Sequence, residues 1–169
     1  MSDCSRTRDD VFTLFQFQIG DELQQTITFY DRWALTYNQD TTLINYRAIH
    51  HAVDFLNNHF SGNREEVQVL DVACGSGLAA ELMVKLGFRL FVGVDGSKGM
   101  LEQAAQTGLY QDLKLALLGP EPLPAPPDTF DVVIMVGALD DGFAPVSVVR
   151  ELCNAAKPDT RRIWRESCS

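Results

Sequence analysis

The stretch Val67 to Gly77, VQVLDVACGSG, decides how the chain folds. A run of β-branched and aliphatic residues ends in Asp71, and Gly75 and Gly77 follow two apart. This predicts a buried parallel strand turning sharply into a helix that begins near Ser76. Glycine suits such a turn because a backbone without Cβ reaches unusual φ/ψ and lets a ligand approach closely, while the first free N–H groups of the helix point above the strand end. Asp71 places a fixed negative charge beside them.

The next strand is Arg89 to Asp95, RLFVGVD. Asp95 falls roughly 20 residues after the glycine turn, where doubly wound folds place an acid that accepts hydrogen bonds from ribose hydroxyls. Turn and acid together fit two cofactor classes. One is a dinucleotide, since Gly75-x-Gly77-x-x-Ala80 satisfies the GxGxxA pattern, and it would make the chain an oxidoreductase. The other is S-adenosylmethionine (SAM). Asp71 separates them: a pyrophosphate against the turn would be repelled by an adjacent carboxylate, whereas the cationic amino-acid end of SAM is attracted to it. The plainer alternative is a tight turn with a solvated aspartate.

Away from this centre the chain continues the same alternation. A helix closes at Gly87, a second opens at Ser97 and closes near Gly108, a third strand is read at Leu113 to Leu118, and a fourth at Phe130 to Val136. Pro145 suits the first turn of a last helix reaching about Lys157. Such βαβα order implies a parallel sheet with helices on both faces. Upstream, Tyr46 to Phe60 is a packing helix, and apolar residues from Asp21, a possible N-cap, recur at helical spacing into Tyr30, Trp33 and Tyr37. Val11 to Ile19 is ambiguous in period and left unassigned.

Composition narrows the class. With 169 residues, 46% hydrophobic and 22% charged, the chain has material for one core. A net charge of −9 argues against nucleic acid and anionic membrane as partners. The one basic cluster, Arg161, Arg162 and Arg165, reads as a solvated tail. Cys4, Cys74, Cys153 and Cys168 are scattered and read as reduced thiols of a cytoplasmic protein. Cys74 has no evident base and is a packing residue. Adjacent His50 and His51 point to different faces and chelate poorly, so no metal is expected. Asp140 and Asp141 are either a general base or, as two acids beside a glycine, a turn. No catalytic residue is assigned.

VLDVACGSG, GVDGSKGML and LPAPPDTFDVVIMVGAL, in that order and spacing, resemble the class I SAM-dependent methyltransferases, as do YDRWALTYNQD (Tyr30 to Asp40) and DGFAP before a helix ending in KP. The resemblance runs from about Asp21 to Pro158. It implies an α/β fold with a seven-stranded Rossmann-like sheet, SAM as cofactor, and methyl transfer to a small-molecule or protein acceptor. It also implies that Tyr30, Trp33 and Tyr37 form a lid over the cofactor, against the plainer reading as core packing. After the third strand the resemblance implies an acid and a backbone N–H for the adenine edge. Gly119 and Pro120 stand there instead, leaving Glu121 as the substitute.

The resulting cofactor-binding set is Asp71, Ala73, Gly75, Gly77, Asp95, Gly96, Ser97, Met100, Leu118, Gly119, Glu121, Val136, Tyr30, Trp33 and Tyr37. Residues 1–60 are read as a helical lid and packing segment, 61–158 as the core of a monomer, and 159–169 as a divergent tail. After Pro158 the resemblance implies a fifth strand, a further helix and a hairpin, whereas the sequence reads DTRRIWRESCS. The sheet is therefore expected to be truncated after the fourth strand and its helix, and a non-catalytic SAM-binding form is the alternative to an enzyme.

Overall fold

A computed structural model describes residues 6–16, 22–139 and 143–160. Among these residues the sheet has four parallel strands: β1 (Gln68–Val72), β2 (Leu90–Asp95), β3 (Tyr110–Leu115) and β4 (Val132–Met135), in the order β3-β2-β1-β4. The chain steps outward from β1 to β2 to β3, then crosses back to place β4 on the other side of β1. The switch between these two directions opens a crevice at the carboxyl ends of β1 and β4, where open α/β sheets bind ligands. The register sets Asp71 opposite Gly93 and Val72 opposite Val94.

Alternation along the strands divides the core. Leu70, Val72 and Val94 join Phe130, Val148 and Ala155 on one face, covered by α7 (Val148–Ala155). Val69, Phe91 and Val132 join Val53, Ala80 and Met83 on the other, covered by α4 (Ala48–His59) and α5 (Leu78–Lys85). Between β2 and β3 lies α6 (Lys98–Gln106), begun by Ser97, whose hydroxyl accepts the Met100 N–H. The predicted stop at Gly87 holds: its φ is +102°, a left-handed conformation that glycine adopts without strain.

The N-terminal segment comprises α1 (Arg8–Gln16), α2 (Leu23–Trp33) and α3 (Tyr37–Leu43) ahead of α4. The ambiguous stretch from Val11 is thus helical as far as Gln16, with Val11 fully buried. Asp40 fixes this segment: buried, it accepts bonds from the Trp33 indole (2.7 Å), the Thr36 hydroxyl (2.9 Å) and Arg6 of the stretch preceding α1.

Two strand boundaries correct the sequence reading. The third strand is Tyr110–Leu115, not Leu113 to Leu118. The apolar run that suggested the later position continues past the sheet, and Ala116 and Leu118 are buried in the core as loop residues. The fourth strand is shorter than expected, since Phe130 leaves the β1 ladder to bridge Ala156 after α7. Among the described residues no helix is long and apolar enough to cross a membrane and no metal-ligating cluster forms. The Asp21 cap, Asp140 and Asp141, the arginine cluster, Cys4 and Cys168 lie outside the described residues.

Candidate functional site

The glycine turn is built from alternating left-handed residues: Ala73 (φ +54°), Gly75 (+55°) and Gly77 (+94°). Ala73 is the residue that bears strain there, since a Cβ disfavours this region. A Cβ placed on Gly75 would meet nothing within 4 Å, so the space above the turn is open. Cys74 is held between strands by its N–H, which donates to the Val94 carbonyl (3.1 Å). Its buried thiol is pushed up by desolvation and by the charges of Asp71 and Asp95, which suits a packing residue and opposes a nucleophile.

Asp95 ends β2 with 3% exposure. One carboxylate oxygen accepts the Gly75 N–H (2.8 Å) and the other accepts the Ser97 N–H (2.8 Å). The acid therefore fastens the glycine turn to the loop that opens α6. Burial pushes its carboxyl up to about 6, against the opposing pull of the Ser97, Gly75 and Gly96 N–H groups. A carboxylate offers about four lone-pair sites, so capacity remains for a ligand hydroxyl.

Asp71 lies deeper, two register steps below the position beside Asp95. It accepts a 2.7 Å bond from the Tyr110 hydroxyl and is pushed up to about 7, chiefly by burial. The fixed charge expected from the sequence is thus a buried group that titrates near neutrality. Tyr110 belongs to β3 and reaches Asp71 on β1 across β2. Gly93 makes this possible, because a Cβ there would lie 2.9 Å from the Tyr110 ring and 2.7 Å from Leu113.

The N-terminal helices lie over these loops. On α2, the Asp31 carboxylate accepts bonds from the Ser97 hydroxyl (2.6 Å) and the Gly99 N–H (2.9 Å), and Ile27 packs 3.6 Å from the Cβ position of Gly96. Asn38 of α3 accepts a 2.5 Å bond from the buried Ser76 hydroxyl in the glycine turn. The three aromatics read as a lid divide in role. Trp33 is 2% exposed and packs edge-on against Phe15 and Tyr37, which is core packing. Tyr37 comes close enough to Asp95 and Tyr46 for their charges to add to the burial that raises its hydroxyl pKa. Tyr30 stacks on Trp33 and meets Phe143 ahead of α7 (5.7 Å).

The loop after β3 differs from expectation. The Glu121 carboxylate accepts the Leu117 N–H (3.1 Å), folding back onto its own loop. Gly119 (φ +101°) packs under Pro145, whose ring carbons lie 2.6 Å and 2.7 Å from its Cβ position. Leu118 is 4% exposed within the core and Met100 is buried beneath the Ser97 cap, while Val136 follows the end of β4. At the next residue, Gly137, the Tyr46 hydroxyl occupies the space a Cβ would need. Between the N-terminal segment and α5 lies a cavity of about 330 Å³, lined by Tyr46, Arg47, Ile49, His50, Leu78 and Glu81 among others. It adjoins the glycine turn, since Leu78 directly follows Gly77.

Sequence reasoning missed Asp31, Asn38 and Tyr110. Gly93 was the available signal for the last, because a glycine inside an apolar strand marks a close approach.

Residues 69–159, which contain β2, β3, β4, all of β1 but Gln68, and both Asp71 and Asp95, match the family described as a methyltransferase domain. The chain belongs to the methyltransferase domain family. Human methyltransferase-like protein 27 is 50% identical over 137 residues, covering 81% of this chain and 56% of that protein. A ubiquinone biosynthesis O-methyltransferase of Neisseria meningitidis serogroup C is 32% identical over 111 residues, covering 63% and 46%. Among solved structures, one titled "DhpI-SAM-HEP complex" is similar in fold, with a TM-score of 0.60 at 20% identity, over 80% of this chain and 61% of that one. The chain spans about half the length of the curated relatives it matches.

Proposed function

We propose that the chain binds SAM at the carboxyl ends of β1 and β2 and serves methyl transfer to a small-molecule acceptor. The observation that carries this reading is the double anchorage of Asp95, whose two oxygens tie the glycine turn to the α6 loop beneath the open space over Gly75. A ligand seated there would place ribose hydroxyls at Asp95 and its amino-acid end along Ala73, Gly75 and Gly77. Its adenine would lie toward Gly96, Met100 and the Leu118–Gly119 loop. With Glu121 turned onto Leu117, adenine recognition rests on apolar contact and loop backbone.

When bound, SAM supplies an electrophilic methyl on a sulfonium. The chain's own residues hold and orient reactants and exclude water, which is the main protein contribution to such a displacement. Tyr30 and Tyr37 are the lid side chains set to do so. The cavity beside the turn lies within the range of small-ligand pockets, which supports an acceptor of metabolite size. The relatives' names agree with methyl transfer, and the acidic balance of the chain disfavours a nucleic-acid acceptor.

Calorimetric titration with SAM and S-adenosylhomocysteine tests the site, and transfer of label from methyl-tritiated SAM into a cell extract tests turnover. The expected results are micromolar or tighter binding and label in the small-molecule filtrate. Label confined to macromolecules would replace the acceptor class, and binding without label would leave a non-catalytic cofactor-binding protein. Failure to bind either ligand would end the reading.

A further inference from the structure

We propose that Asp31 is a positioning residue for cofactor binding, the catch that holds the N-terminal helices shut over the Asp95 loop; this rests on the SAM site proposed above. Asp31 belongs to α2, yet its carboxylate oxygen accepts both the Ser97 hydroxyl and the Gly99 N–H at the start of α6. Ser97 is fully buried. Its hydroxyl also accepts the Met100 N–H (3.1 Å), and its own N–H donates to Asp95. One continuous path of hydrogen bonds thus runs from α2 through Ser97 to Asp95, and on through the Gly75 N–H to the glycine turn.

Two observations make this more than a helix cap. Ser97 already caps α6 from within the same segment, as N-cap residues ordinarily do, so the bonds to Asp31 are not needed to start that helix. Their effect is to bring in α2. The backbone is also shaped for that seat: a Cβ on Gly99 would lie 2.8 Å from the Asp31 carbonyl oxygen and 3.0 Å from its Cα. Gly99 therefore admits α2 at a distance no side chain would allow. Asp95 is buried beneath this arrangement, so parting α2 from α6 must first break the bonds to Ser97 and Gly99, and their loss loosens the loop that the Asp95 carboxylate holds.

The test compares Asp31→Ala with Asp31→Asn. The amide oxygen of asparagine accepts both bonds, whereas alanine accepts neither. Calorimetry and stopped-flow displacement of S-adenosylhomocysteine should show Asp31→Ala weakening affinity about tenfold, mostly through faster release, with Asp31→Asn within about threefold of wild type. Equal release from wild type and Asp31→Ala, or equal damage from both variants, overturns the catch.

Hydrogen exchange on the ligand-free chain supplies a readout independent of the cofactor. Asp31→Ala should speed exchange in residues 23–33, leaving β1 and β2 protected, and Asp31→Asn should not. Uniform acceleration that includes β1 and β2 would mean general destabilisation and would also overturn it. If wild type binds neither SAM nor its product, the functional reading fails, and the exchange pattern still decides the catch.

Discussion

The ends of β1 and β2 carry the same residue type in the same kind of place and use it differently. Asp95 ends β2 and Asp71 stands one residue before the end of β1, both are nearly inaccessible, and burial raises both carboxyls, to about 6 and about 7. Asp95 is bound by backbone N–H groups of two loops, so its charge is spent on loop geometry and its removal would free both loops at once. Asp71 is bound by one side chain, Tyr110, so it braces the sheet from β1 to β3. The difference teaches that an acid at a strand end does not announce its role. What decides it is depth in the register and the kind of donor that meets it.

The contrast can be broken most forcefully at Asp95. Asp95→Ala should cost about 1.5–3 kcal/mol of SAM affinity, as expected for charge-assisted bonds, when titrated by calorimetry. Asp71→Ala should leave affinity far less changed relative to its effect on stability. Gly93→Ala comes next: the added Cβ collides with Leu113, Tyr110 and Cys74, and overpacking of this kind should lower unfolding stability by about 1–3 kcal/mol in urea. Tyr110→Phe removes one hydroxyl from Asp71 and should cost about 1–2 kcal/mol by the same assay, with SAM affinity nearly preserved.

The smallest effect sharpens the comparison through pH. An aspartate with an unfolded value near 3.8 and a native value of about 7 binds its proton more readily when folded. Its contribution is therefore complete below about pH 4 and is lost as pH rises toward 7. Asp71→Asn removes that loss. Wild type should accordingly become less stable relative to the variant between pH 4 and pH 7.5, and the gap should level off above, as urea midpoints across that range would show. A constant gap would mean that Asp71 is not the titrating group.

Much of this was legible because local rules and tertiary packing agreed. The apolar strand around Asp71, the Gly75 and Gly77 turn, Ser97 as helix cap and the Gly87 stop each state their own geometry within a few residues. The third strand was misplaced because hydrophobicity marks burial and not strand, and residues 116–118 are buried in a loop. Asp31 was invisible for a different reason. It stood in YDRWA, where the aromatics dominate the pattern, and its partners Ser97 and Gly99 come from the far side of the first strand. Glu121 shows the same limit of local pattern, since its bond to the Leu117 N–H depends on how the loop folds back and not on the spacing of residues.

The Gly75 N–H has a further consequence for ligand choice. Alternating left-handed residues turn successive amides into a concavity suited to an anion, the place a pyrophosphate occupies in dinucleotide-binding folds. Here an internal anion is already seated at it, since Asp95 accepts that N–H at 2.8 Å. A dinucleotide would have to evict a carboxylate and then sit beside it, whereas a ligand without phosphates that carries an ammonium group meets less repulsion there. In the resting turn that N–H is already satisfied, so a phosphate finds no free donor in it.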